Sequence, residues 1–360
     1  MIINATSIGR NPSGIGRHSL SISLYFLEHW DYPFQLFINK HALVHFENAK
    51  NKDKIKVISG AVSPDFGFRG HFLRFLWANK LSLQNKKKLI FNTSPTEGSL
   101  FRCKQIITVY DIIPLLFSRN YKKQCFYYKY ILSNILKNSV RILTVSENSK
   151  NSIINYYTIP KEKIDVIYCG IIEYFINPKI NFTKQNYILY VGRLSPIKNI
   201  EGLVKSFDLL INKHKLDLRL KLTVKNGDLN LKINNETRRK IDFVGDVSEI
   251  ELLDLYKNAS LLVLPSFHEG FGLPPLEAAA SGCPLVVSNV ASLPEIYGDA
   301  AYYVDPYDAE HIAEGMYKVL TDNELRTKLI QNGFVRVKMY REEISAKKHI
   351  KIFEKVLNLS

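Results

Sequence analysis

LLVLPSFHEGFGLPPLEAAASG, residues 261–282, decides how the rest of the chain is read. Leu261–Leu264 is a short continuous apolar run that stops at Pro265, the pattern of a buried parallel strand. Gly270 and Gly272 then open a loop whose backbone amides can approach a ligand closely. Pro274 and Pro275 suit the first turn of a helix, and Gly282 suits its end. Glu269 lies in the loop and Glu277 is expected in the first helical turn, where the helix dipole alone would account for a carboxylate. Yet two carboxylates eight positions apart, bracketing a glycine loop after a strand, also suit sugar recognition. Carboxylates accept paired hydrogen bonds from vicinal hydroxyls.

Upstream, YILYVGRLSPIKN (residues 187–199) has the same grammar: a buried strand, Gly192 for a tight turn, Arg193, a short loop with Pro196, and Lys198 opening a helix. A helix start offers free N–H groups and partial positive charge, and two full cations at the same strand end make a clamp for a diphosphate. Taken alone, Arg193 and Lys198 read equally well as surface charges flanking a loop.

Outward from these stretches, apolar runs alternate with helix-length segments. Candidate strands are 1–4, 34–38, 56–58, 89–92, 106–109, 142–145 and 165–168, then 187–191, 219–224, 242–244, 261–264 and 285–287. Helices are expected over 14–30, 70–83, 125–137 and 147–157, and from near 198, 248, 273, 309 and 323. This alternation predicts an α/β protein of two Rossmann-like domains with parallel sheets, residues 1–175 and 176–343, around a cleft at the strands' carboxyl ends. A last helix, 344–360, has no strand after it. The stretch 170–184 is irregular and reads as the hinge.

The motifs resemble those of retaining group 1 (family 4) glycosyltransferases. Glu269 and Glu277 match that family's E-x7-E signature within EGFGLPPLEAAASGCPLVVS. SLPEIYGDAAYYVDP, FVGDVSEIELLDLYKNA, VGRLSPIKN, NPSGIGR, TVYDIIPL and LTVSENSK extend the resemblance over nearly the whole chain. It implies the GT-B fold. It also implies that Arg193 and Lys198 hold the donor diphosphate, that Glu277 binds the ribose hydroxyls and that Glu269 contacts the transferred sugar. By the same resemblance Gly270, Phe271, Gly272 and Leu273 form the donor loop, Phe243 and Val244 meet the nucleobase, and Gly14 and Gly16 form a loop facing the diphosphate and acceptor. A tight turn is the plain alternative for the two glycines. At Tyr110-Asp111 the family often has histidine-aspartate; Asp111 is kept, but tyrosine cannot carry a proton near neutrality as imidazole can. Asn226-Gly227 stands where a glycine usually follows the strand directly.

No D-x-D stands in a suitable loop and no His/Asp cluster has ligand spacing, so no metal and no cofactor beyond the nucleotide-sugar substrate are expected. The resemblance of the NPSGIGR loop implies GDP-mannose as donor, with UDP-linked hexoses the alternative. The Ile-, Asn- and Lys-rich composition points to O-antigen or capsule synthesis on a lipid-diphosphate-linked acceptor. Other readings are an epimerase or phosphorylase of the same fold and, because of Tyr110, a catalytically silent sugar-binding protein.

The chain of 360 residues has a formal net charge of +15. Residues 1–175 hold 24 Lys and Arg against 11 Asp and Glu, and the remainder 25 against 23. A basic first half suggests an anionic partner: nucleic acid, an anionic membrane or a phosphorylated substrate. No nucleic-acid module is recognised, and the lopsided charge with the segment 68–88 leads to the expectation of an anionic membrane surface, with the protein peripheral on the cytoplasmic face. Residues 68–88 read as a basic amphipathic helix with Phe72, Leu73, Leu76, Trp77 and Leu81 on its apolar side and His71, Arg74 and Ser82 toward the other. That apolar side either meets lipid or covers the sheet. Four scattered cysteines without C-x-x-C argue for a reducing compartment, and no apolar run is long enough to span a bilayer.

Overall fold

The computed structural model describes residues 1–176, 184–225 and 233–358. Asn226-Gly227 and part of the expected hinge lie outside them. The chain forms two compact units. One is Met1–Gly170 together with the chain from Glu342 on; the other is Ile171–Arg341. The sequence reading puts these crossings near 175 and 343.

The first unit holds seven parallel strands: β1 Ile2–Asn4, β2 Gln35–Asn39, β3 Ile55–Ile58, β4 Ile90–Asn92, β5 Gln105–Thr108, β6 Arg141–Thr144 and β7 Ile164–Val166, in the order β3-β2-β1-β4-β5-β6-β7. The central strands are buried on both faces, which is why they read as unbroken apolar runs rather than alternating ones. The helix Glu342–Leu357 packs in this unit. Its Phe353 is fully buried, with ring centroids 5.7 Å from Phe26 and 4.8 Å from Phe91. Truncating such a side chain to alanine costs about 3–5 kcal/mol, so this returning helix is part of the core.

The second unit repeats the plan with six parallel strands: β8 Tyr187–Tyr190, β9 Arg219–Leu222, β10 Ile241–Phe243, β11 Leu261–Leu264, β12 Leu285–Ser288 and β13 Tyr302–Val304, in the order β10-β9-β8-β11-β12-β13. Sequence reasoning misses β13, a three-residue edge strand that is only half-buried. Helix starts carry local signals. Ser248 and Glu251 form a reciprocal capping box, and the Asp308 and Asp322 carboxylates cap the helices Ala309–Thr321 and Asn323–Val337.

Two expectations fail on local detail. Lys198 does not open a helix. It ends the short 3-10 turn Pro196–Lys198, and after Asn199 in the left-handed conformation the helix runs Ile200–His214. Gly14 and Gly16 do not form a loop but lie in the first turn of the helix Gly14–His29; a Cβ on Gly16 would come within 3.0 Å of the Pro12 side chain.

Candidate active site

In each sheet the order reverses once, between β1 and β4 and between β8 and β11. Open α/β sheets bind ligands beyond the strands' carboxyl ends at such a reversal. The loops leaving β8 and β11 therefore flank the crevice of the second unit. They are tied together, since the Phe267 amide donates to the Ile197 carbonyl at 2.8 Å. Across them Lys198 Nζ donates to Glu269 Oε1 at 2.6 Å. The same oxygen accepts from Ser266 Oγ at 2.7 Å, and Ser292 Oγ donates to the Glu269 carbonyl at 2.9 Å. The Glu269 side chain is 8 % exposed and that of Lys198 21 %. Lys198 is thus no loose surface charge, whereas Arg193 is exposed. Gly192 sits over Tyr190, whose hydroxyl would lie 2.7 Å from a Cβ there, and its amide donates to Thr223 Oγ1 at 3.1 Å.

Gly272 has φ +89°, a conformation that favours glycine, and precedes the helix Leu273–Ala280. Tyr297 OH donates to its carbonyl. The Phe271 ring is buried against Tyr340, so this member of the donor loop packs inward. Glu277 is the fifth residue of the helix, beyond the first turn where it was expected, and is buried. The dipole of a first turn therefore does not explain it. Tyr256 OH donates to its Oε2 at 3.0 Å.

Phe243 and Val244 lie at the end of β10, with β9 between them and β8. Gly14, Gly16, Tyr110 and Asp111 belong to the first unit. Tyr110 is buried, and its hydroxyl donates to the Thr93 carbonyl at 3.2 Å. Burial pushes its phenol well above the ordinary range. Its hydroxyl is thus directed into its own unit. Asp111 accepts from the Ile113 amide at 3.0 Å. Sequence reasoning missed Tyr256, Ser266 and Ser292. Ser266, three residues before Glu269, was within reach of local reading; Tyr256 and Ser292 arrive from other elements, with no spacing rule to reveal them. Among the described residues, no group of three or more His, Cys, Asp or Glu is placed to hold a metal ion, and no helix is long and apolar enough to cross a membrane.

The Lys198–Glu269 pair thus sits in the loops at the sheet reversal, and buried Glu277 lies in the helix that follows the glycine loop. The family model of glycosyl transferases group 1 matches residues 173–336. An O-antigen chain mannosyltransferase B of Escherichia coli is 31% identical over 290 residues, 76% of this chain and 75% of that protein. The O-antigen chain mannosyltransferase RfbU of Salmonella typhimurium is 37% identical over 230 residues, 62% of each chain. Among solved structures, sucrose-phosphate synthase from Thermosynechococcus elongatus superposes with a TM-score of 0.76 at 18% identity, covering 100% of this chain and 99% of that one. The chain belongs to the group 1 glycosyltransferases and has the GT-B fold.

Proposed function

We propose that the protein is a retaining, metal-independent hexosyltransferase that moves mannose from GDP-mannose to a lipid-diphosphate-linked saccharide in O-antigen or capsule synthesis, at the cytoplasmic face of the membrane. The observation that carries the chemistry is the Lys198–Glu269 pair at the β8/β11 reversal. The two mannosyltransferase relatives support the choice of sugar and pathway.

In this reading Lys198 and Arg193 face the donor diphosphate and stabilise the negative charge that develops as it leaves, the role a divalent ion has elsewhere. Glu277, steadied by Tyr256, accepts from the ribose hydroxyls. Glu269 orients both Lys198 and the sugar. The acceptor hydroxyl attacks C1 from the leaving-group face. The new C1–O bond forms as the C1–O bond to phosphate breaks, and a leaving phosphate oxygen takes the acceptor's proton. Configuration is retained and no protein nucleophile is needed.

A second reading, a silent sugar-binding protein, rests on Tyr110, which stands where the family often has histidine and whose buried hydroxyl donates to the Thr93 carbonyl. A panel of nucleotide sugars, offered with a detergent-dispersed lipid-linked acceptor, separates them. The expected result is transfer from GDP-mannose with an α-linked product. Preference for a UDP-hexose would overturn the donor; tight donor binding without turnover would establish the silent reading.

A further inference from the structure

The helix Gly67–Gln84 buries several polar side chains and leaves part of its apolar side exposed. The side expected to be polar is buried: Arg74 is 0% exposed, and Asn79 and Ser82 are buried beside it. Of the apolar side, Phe72 is 53% exposed and Leu73 and Leu76 are exposed, as is Phe68 at 66%, while Leu81 is buried and Trp77 packs against its cluster with Ile2 and Ile90.

Polar partners hold the buried side. Arg74 Nη1 donates to the Thr6 carbonyl at 3.3 Å, and Nη2 lies 2.6 Å from His71 Nδ1. The guanidinium also feels the charge of fully buried Glu97, whose carboxylate accepts from the amides of Ser7 at 2.5 Å and Ser94 at 2.7 Å. Asn79 Oδ1 accepts from the Leu100 amide at 3.0 Å and Ser99 Oγ at 3.2 Å. A Cβ on Gly70 would fall 1.9 Å from the Ser63 carbonyl oxygen, so no other residue type lets the helix sit this close.

The outward face continues onto the helical stretch 122–138, which contains the π-helical turn Tyr127–Leu132. Lys123 Nζ lies 5.3 Å from the Phe68 ring centroid, exposed Phe126 stands 5.1 Å from Tyr130, and Lys129 Nζ is 5.3 Å from the Tyr130 ring. Beneath them Phe75 meets Tyr127 at 6.0 Å. Residues 66–146 carry 14 Lys and Arg against two acids, and one of those, Glu97, is buried.

We propose that this face docks onto an anionic lipid bilayer, with Phe68, Phe72 and Phe126 entering the headgroup region and Lys122, Lys123 and Lys129 meeting lipid phosphates. The proposal deepens the reading above, which puts the acceptor on a lipid carrier. Exposed aromatics rimmed by like-signed charge suit a surface of opposite sign. A second copy of the same face would bring lysines against lysines, so self-association here is disfavoured.

The test is flotation of the full chain with vesicles of phosphatidylcholine, alone or mixed with phosphatidylglycerol. The wild type should float with the mixed vesicles at low salt and not with the neutral ones. Each basic residue near an anionic leaflet contributes roughly fivefold in partition, so Lys122→Glu/Lys123→Glu/Lys129→Glu should lower binding on the order of 10²-fold or more. Phe68→Ser/Phe72→Ser/Phe126→Ser should leave weak low-salt binding and remove what survives at physiological salt. Both variants should keep wild-type transfer to a water-soluble acceptor analogue. A wild type that ignores anionic vesicles, variants that float as well as it does, or a preference for RNA over those vesicles would overturn the proposal. Flotation as predicted in a chain that transfers no sugar would support this surface and overturn the proposed function instead.

Discussion

Lys198 and Glu269 are 71 positions apart in the chain and 2.6 Å apart at the head of the second sheet. The pair joins the two loops that flank the sheet's reversal, and Ser266 shares the carboxylate. A cation held in place by a largely buried carboxylate is positioned before substrate arrives. In the proposed mechanism a donor diphosphate meets this fixed charge with little reorganisation of the site, the condition under which electrostatic stabilisation lowers a barrier most.

Tyr256 is expected to act through Glu277. Tyr256→Phe removes the 3.0 Å hydrogen bond to Oε2 and leaves the ring. A hydrogen bond to a charged group contributes about 1.5–3 kcal/mol, so nucleotide affinity should fall by at least about tenfold. The effect belongs on KM, with kcat little changed. A loss confined to kcat would show that Glu277 is not a ground-state contact.

The two signature carboxylates divide their roles. Glu277→Ala should weaken nucleoside-diphosphate binding, because its contact is present in ground and transition states alike. Glu269→Ala should act on turnover, since its partners are the moving sugar and Lys198. Calorimetric titration of GDP against both variants decides the matter, and equal loss of affinity would undo the division.

Chelation should leave sugar transfer largely intact if Lys198 and Arg193 neutralise the diphosphate. Transfer assayed after exhaustive treatment with a chelator measures this directly. Activity abolished and then restored by one divalent ion would replace the cation mechanism.

Acid should destabilise the first unit. His18 and His349 are buried with ring centroids 5.9 Å apart, and burial lowers them from the usual 6.5 to about 3 and about 4. Below 6.5 the unfolded chain takes up protons that the folded one refuses, so stability falls as pH drops toward 4 and is fully present above 6.5. Melting temperature followed from pH 7 to pH 4 should decline less steeply in His349→Phe than in the wild type. An unchanged slope would mean that other groups govern the acid limb.

What was legible in the sequence follows physical range. Buried parallel strands announce themselves as unbroken apolar runs, and the glycine loop with Glu269 and Glu277 is a local pattern, so both could be read directly. The Tyr256 contact to Glu277 crosses 21 positions between two helices, and nothing in either segment signals it. The sequence left open whether the apolar side of the Gly67–Gln84 helix covers the sheet, and it did not show that Arg74 is buried. Arg74 finds its acceptor 68 positions away at Thr6, and hydropathy counts an arginine as surface unless such partners are known. At Tyr110 the sequence showed the residue but not its direction, because the Thr93 carbonyl that takes its hydroxyl belongs to another strand's loop.

The turnover of Lys198→Ala tests the central claim most directly. With GDP-mannose and a lipid-linked acceptor at saturating concentrations, kcat should drop on the order of 10²-fold or more, because the lost contact is strongest where leaving-group charge develops. Circular dichroism should show a folded protein, since the side chain lies at the end of a loop and not in the core. A folded Lys198→Ala with near-normal kcat would contradict the account.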